Sequence, residues 1–401
     1  MKKGLLSIVT VLFFSLFVAG AWAVDSPNTI KIGGVYSLTG ADSNVGKQVE
    51  TGYTMAIADV NEKGGVFVKE FNKKIPLELV AFDMEANPEK AISRTETLIS
   101  SHDVKAFVGT TFFAAAATIL ERSKIPAVAV ASAGQRLHER GYKYWFNPLG
   151  TSPRIAKRIA ELLKSLPEDK QPTRFVVFEE KTDWGVEMSH YFQEELKRHE
   201  QYKLTSVQKH TIMAKDFSPL LLAAKSEGAE VVLSSPIMPA GMTIMRQMKE
   251  LGYNPKMVVM IRAPDDLPWA RALGPIGDYV VFSTGWHHSL PFPGSDELNA
   301  KFKAKFNRPA DPMTGPAYAA IQVIADSIER AGTLNPEEIR DAIAATDMMT
   351  VTGPVKFNPD GTNQRSQGPV AQWQNGKQEL VFPSDMATKP LAYPMPAWSE
   401  R

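Results

Sequence analysis

Cysteine is absent from all 401 residues, which excludes a disulfide framework, a zinc–thiolate site, a thiol nucleophile and a lipid-attachment thiol. An excess of charge is missing too. The chain carries 45 Lys and Arg against 44 Asp and Glu, a net +1, so it offers no basic field to nucleic acid or a membrane surface. Its longest apolar stretch, Leu5 to Ala19, stops short of the ~20 residues that a helix needs to cross hydrocarbon. Catalytic signatures are also wanting: there is no G-x-S-x-G elbow and no H-E-x-x-H. Gly40 to Lys47 approaches a phosphate-binding loop, but Gln48 stands where a Ser or Thr must hold magnesium. Trp286, His287 and His288 follow a predicted strand and could edge a cleft, yet no carboxylate stands beside the histidines at ligand spacing. No enzyme activity, metal or cofactor is expected.

What is present begins with a targeting pattern. Lys2 and Lys3 precede the apolar stretch, and Ala21-Trp22-Ala23 is a small-x-small cleavage site, so residues 1–23 read as a secretory signal peptide cut after Ala23. The expected product is a free periplasmic protein without a lipid anchor. Its 378 residues carry a net charge of −1 once Lys2 and Lys3 are removed. With 44% apolar residues in the chain, that length supports two well-buried cores.

From Thr29 onward a short apolar run, a loop and a helix-period segment recur, the pattern of a parallel sheet covered by helices. Strands are predicted at Ile30–Tyr36, Leu77–Phe82, Lys105–Gly109 and Ile125–Ala131, with helices at Gln48–Glu62, Pro88–Ser101 and Ala114–Ser123. The pattern restarts near Asn147-Pro148. Strands follow at Phe175–Phe178, Val231–Ser234, Met257–Ile261 and Val280–Ser283, and helices at Pro153–Leu166, Val186–His199, Phe217–Glu227, Gly241–Leu251, Asp296–Phe306 and Tyr318–Ala331. A strand-like tail around Trp373 is bracketed by turn signals at Asn358–Gly361 and Asn375-Gly376.

Several segments, in order, carry a family likeness: GGVYSLTG at Gly33–Gly40, NEKGGV at Asn61–Val66, Asp83–Pro88, FVG at Phe107–Gly109, Ile125-Pro126-Ala127 and FEEKTDWG at Phe178–Gly185. Together they resemble the type I periplasmic solute-binding proteins of branched-chain amino acid and amide ABC importers, the leucine/isoleucine/valine-binding kind, over about residues 29–381. The resemblance implies an α/β fold of two doubly wound parallel-sheet lobes joined by three crossing strands. The expected lobes are 24–147 with 284–369, and 148–283 with 370–401. It further implies a monomer that captures a small molecule by closing and presents it to an inner-membrane ABC permease. A ligand-sensing receptor of the same fold is the alternative reading, and turnover of a bound ligand would revive an enzyme.

In open α/β sheets, ligands sit beyond the carboxyl ends of the strands, which points to the loops 37–46, 109–114, 131–135, 180–185, 234–240 and 261–266. Amino-acid-binding relatives place a serine, a threonine and an ammonium-pairing carboxylate in three of these loops. The resemblance aligns them here with Phe113, with Ala133 beside Ser132, and with Ile261-Arg262. Trp184 keeps the aromatic usual before the loop glycine. Val45, Phe112, Ala131, Pro236, Ile237, Met238 and Met313 complete the expected wall. One arginine among aromatics suits a flat or hydrophobic carboxylate better than a branched-chain amino acid or amide. A register slip of one or two residues would instead present Asp265 or Asp266. Asp83 is expected to hydrogen-bond its own loop.

Overall fold

The computed structural model describes residues 26–40, 42–265, 268–366 and 368–401. The expected signal peptide and Asp266 lie outside them. Two separate sheets organise the chain.

The first sheet is built from β1 (Ile30–Tyr36), β4 (Leu77–Asp83), β5 (Ala106–Gly109), β6 (Ala127–Ala129) and β7 (Trp145–Phe146), in the order β4-β1-β5-β6-β7 and parallel throughout. Between β1 and β4 run α1 (Ser43–Glu62) and a small hairpin, β2 (Val66–Val68) with β3 (Lys73–Ile75). The helices α2 (Pro88–His102), α3 (Ala117–Ser123) and the one-turn α4 (Gln135–His138) make the later connections. Alternation along each strand sends side chains to opposite faces. Ile32, Tyr36, Val108 and Val128 meet Val49 and Tyr53 of α1, while Val35, Phe107, Ala127 and Ala129 meet Ala91, Leu98 and Leu120. Strands covered on both faces read as nearly unbroken apolar runs. Asn87 caps α2 by accepting from Glu89 N and Lys90 N at 2.8 and 3.1 Å, with Pro88 preset for the first turn.

The chain then passes through α5 (Ser152–Lys164) into the second sheet. There β8 (Arg174–Glu180), β9 (Lys203–His210), β10 (Val231–Ser234), β11 (Met257–Met260) and β12 (Val281–Ser283) lie parallel in the order β12-β11-β10-β8-β9. Their connections are α6 (Asp183–Lys197), α7 (Ser218–Ser226), α8 (Met238–Glu250) and α9 (Pro268–Leu273). After β12 come α10 (Ser295–Phe306), α11 (Thr314–Ala331), α12 (Pro336–Ala344) and the hairpin β13 (Asp347–Thr350) with β14 (Gly353–Lys356). Helix α11 returns to the first sheet, where Ala320 and Ile324 pack with α1. The chain finally re-enters the second sheet as the antiparallel pair β15 (Val370–Gln374) and β16 (Lys377–Phe382). Asn375 and Gly376 both have positive φ in the tight turn between them.

The apolar-run signal misses β9. This strand is the edge of its sheet, and its sequence KLTSVQKH keeps most side chains half exposed. It therefore lacks the apolar run of a buried strand.

The cleft-edge expectation for Trp286 and His287 is corrected by their packing, while His288 beside them stays partly exposed. Trp286 is fully buried, and its indole donates to Ser295 Oγ at 3.1 Å and Val351 O at 2.9 Å. His287 ties the segment after β12 to β16: Nδ1 accepts from Ser289 N at 3.2 Å, which leaves Nε2–H to donate to Gln378 O at 3.1 Å. Burial, followed by the neighbouring His288, lowers this imidazole from the usual 6.5 to about 4. Between those values the unfolded chain binds a proton that the folded chain does not, so stability rises with pH through that window and is lost in acid. The contribution is at most about 3 kcal/mol. His287→Asn is expected to reduce the slope of melting temperature against pH between 4 and 6.5, read by thermal denaturation across that range.

Candidate functional site

Both sheets have the doubly wound order in which the chain reverses direction beside its first strand, leaving a crevice at the strand carboxyl ends. On the first sheet, that edge begins with the loop after β1. Asp83 pins it, accepting from Leu38 N at 2.9 Å, Thr39 Oγ1 at 2.7 Å and Glu85 N at 2.8 Å. Burial raises the Asp83 carboxyl, but these bonds outweigh it and hold the group below its ordinary value. Val45, Leu38, Ala131 and Leu149 each pack half buried against the core of the first sheet. Ala131 has φ +53, and its carbonyl accepts from Thr111 Oγ1 at 2.6 Å. Ser132 follows; its carbonyl is held by Asn147 Nδ2 at 2.8 Å, and its hydroxyl has no partner among the described residues. The Ala133 carbonyl accepts from Ser152 N and Oγ at 2.8 and 3.0 Å.

The second sheet presents the denser cluster. Glu180 ends β8, fully buried, and Arg262 follows β11; 82 residues apart in sequence, they pair through Nη2 and Oε1 at 2.9 Å. The same Nη2 donates to Ser235 O at 3.2 Å, and the guanidinium carbon lies 5.1 Å from the Trp184 ring centroid. Arg262 Nη1 has no partner among the described residues, and neither has the buried indole N–H of Trp184. Thr182 caps α6 by accepting from Gly185 N at 3.1 Å. Gly185 permits this start, because a Cβ there would overlap the Glu180 carbonyl. Pro236 and Ile237 complete the cluster through backbone contacts, Pro236 O to Arg262 Nε at 3.5 Å and Ile237 N to Glu180 Oε2 at 3.4 Å. Met238 opens α8 and packs half buried on the core below.

The two sides touch through Glu187, three residues beyond Trp184 on α6. This buried carboxylate accepts from Gln135 N at 2.7 Å and Arg136 N at 3.2 Å, at the start of α4 on the first-sheet side. Thr151 Oγ1 also donates to Gln135 Oε1 at 2.7 Å.

The wall expectation for Phe113 is corrected. The turn after β5 swings its ring inward, fully buried between Phe107 and Trp145 at centroid distances of 5.9 and 5.3 Å. A Cβ on Gly109 would overlap that ring. Phe112, its neighbour, stays half exposed. Met313 is largely buried, its side chain against Gly285 and its backbone N–H donating to Gln48 Oε1 at 3.2 Å. Glu180 and Ser235 lie in the expected loops 180–185 and 234–240 without being named as wall residues, and Glu187 lies beyond those loops. Two consecutive acids closing an apolar strand, Glu179-Glu180, were the available signal, since such a strand must bury at least one of them.

The sequence profile described as "Periplasmic binding protein" matches residues 29–378, most of the chain. The chain belongs to the periplasmic binding protein family. This binding protein is 26% identical over 396 residues to the Leu/Ile/Val-binding protein homolog 7 of Brucella suis biovar 1 (strain 1330), covering 93% of this chain and 96% of the relative. Its fold is similar to that of a leucine-binding protein from Thermotoga maritima MSB8, with a TM-score of 0.77, 22% identity and coverage of 88% and 97%. It is also similar to a solute-binding protein of an R. palustris ABC transporter solved in complex with benzoate, with a TM-score of 0.75, 18% identity and coverage of 92% and 98%. The fold is that of the type I periplasmic binding proteins. Family membership makes the chain a binding protein and not an enzyme. Among the described residues, no helix is long and apolar enough to cross a membrane.

Proposed function

We propose that this protein is the periplasmic substrate-binding subunit of an ABC importer and that its ligand is an aromatic or other hydrophobic carboxylate. On this reading the leader is cut after Ala23, and the lobes 24–147 with 284–369 and 148–283 with 370–401 close on the ligand. The observation that carries the ligand class is the partly exposed Arg262 guanidinium stacked on Trp184 with Nη1 unpaired. A cationic donor beside an aromatic ring suits a flat acid, whose oxygen accepts a charge-assisted bond from it. The benzoate bound by the R. palustris protein belongs to the same chemical class.

A branched-chain amino acid is the second reading, favoured by the name of the Brucella suis relative. Its ammonium would need an acceptor. Glu180 cannot supply one, being fully buried with Oε1 bonded to Arg262 and Thr182 and Oε2 to Ile237 N. Asp265 sits in the next turn, its carbonyl held by Gln378 Nε2 at 3.0 Å.

A thermal-shift series with benzoate, phenylacetate, leucine, isoleucine and valine tests the ligand class. A ligand that binds only the native state at about 100 times its Kd stabilises by about 2.7 kcal/mol. Stabilisation by the aromatic acids is expected; stabilisation by leucine alone would overturn the carboxylate reading. Loss of uptake on deleting the gene distinguishes an importer subunit from a sensor.

Closure gives Glu187 a role whatever the ligand, because its two bonds to the α4 turn join opposite sides of the crevice. Each bond to a charged group contributes about 1.5–3 kcal/mol, and bonds made on closing add to apparent affinity. Glu187→Ala is expected to raise Kd by roughly tenfold or more and to enlarge the radius of gyration of the ligand-free protein in small-angle scattering.

A further inference from the structure

We infer that Glu180 is a positioning residue that sets the preference of this site for a carboxylate over its neutral isostere; the inference rests on the carboxylate reading. Glu180 is fully buried, whereas the Arg262 side chain is 38% exposed. An arginine so exposed would sample many rotamers. It is held instead by the carboxylate, which is itself fixed by Thr182 Oγ1 at 3.1 Å and Ile237 N at 3.4 Å. Arg262 also has φ +86, a backbone region that a non-glycine residue keeps only where its surroundings impose it.

The consequence is a guanidinium with assigned edges. Nη2 is shared between Glu180 and Ser235 O, Nε points to Pro236 O, the face lies over Trp184, and Nη1 remains. With the pair's charge balanced, the pull on a ligand comes from directed N–H groups, not from a bare cation. A carboxylate presents an oxygen to Nη1 in either orientation and forms a charge-assisted bond there, whereas a carboxamide of the same shape meets Nη1 only with its oxygen and forms a weaker bond.

The test is calorimetric titration of the full mature protein with benzoate and with benzamide, in the wild type, Glu180→Gln and Glu180→Asp. The wild type is expected to prefer benzoate. Glu180→Asp is expected to lose roughly tenfold of that preference, with benzamide binding changed by less than about twofold, whereas Glu180→Gln, which also leaves the Arg262 charge unbalanced, loses less. Gln removes the charge, while Asp keeps it and shortens the reach, so each displaces the guanidinium by a different route. Equal weakening of both ligands, an unchanged ratio, or loss of cooperative unfolding in both variants would overturn the assignment and leave Glu180 a fold residue. A wild type indifferent to benzoate and benzamide would overturn the carboxylate reading itself, and the inference with it.

Discussion

Arg262→Met is expected to weaken aromatic-carboxylate binding by roughly a hundredfold, about 3 kcal/mol, and to lower the melting temperature as well. The affinity loss follows from removing the free Nη1 and the cation stacked on Trp184. The stability loss has a different origin. Methionine leaves Glu180 fully buried, with Thr182 Oγ1 and a long bond from Ile237 N as its remaining partners. Orphaning one member of a deeply buried ion pair costs about 3–5 kcal/mol. Here the arginine side is reached by water, so about 2 kcal/mol is the better expectation. Calorimetric titration and a melting curve measure the two effects separately. Adding Glu180→Gln to Arg262→Met should recover stability without recovering binding; binding restored in the double variant would sink the role given to Arg262. Arg262→Lys keeps the charge but loses the planar fork, and is expected to bind poorly as well.

Gly46→Ala is expected to be the most damaging small substitution on the first-sheet side. Gly46 lies in the first turn of α1, and a Cβ there would overlap the Ser37 carbonyl. The loop cannot retreat cheaply. Asp83 holds its next two residues, and Ser37 Oγ accepts from Ala86 N at 3.0 Å. Relief must come from lifting the start of α1, which carries Val45 and the buried Gln48 and Val49. Overpacking of this kind costs about 3 kcal/mol or more, and each kcal/mol lowers the melting temperature by about 1–2 °C in a chain of this length. A fall of roughly 4 °C or more in a melting scan is expected, with weaker ligand binding from displacement of Val45. A change under about 2 °C would mean that the helix start yields more easily than the bonds around Asp83 imply.

Much of the fold was legible because its signals are local. Buried parallel strands read as short apolar runs, and caps such as Asn87-Pro88 announce helix starts. The same cap recurs at Asn335-Pro336, where Asn335 accepts from Glu337 N at 2.9 Å, yet α12 carries so short an apolar pattern that periodicity alone does not predict it. Strand β9 escaped for the opposite reason: as an edge strand it keeps polar side chains, and the pattern that marks a buried strand is absent.

The site was legible as a set of loops, and less so as side chains. Phe112 and Phe113 are adjacent and chemically alike, but the turn after β5 buries one completely and leaves the other half exposed. Trp184 is recognisable beside its glycine, and Arg262 from the family alignment of its loop, with Asp265 or Asp266 as the alternative one register away.

From the sequence alone came the alternation of strand and helix, two α/β units and the loops at the strand ends, because periodicity, capping and turn chemistry act over a few residues. Tertiary structure decided which charges meet. Glu180 and Arg262 are brought together by the pairing of β8, β10 and β11, and Glu187 of α6 reaches the start of α4. Such contacts depend on strand register and on which side chain burial leaves without water, and neither is written in any local stretch of the chain.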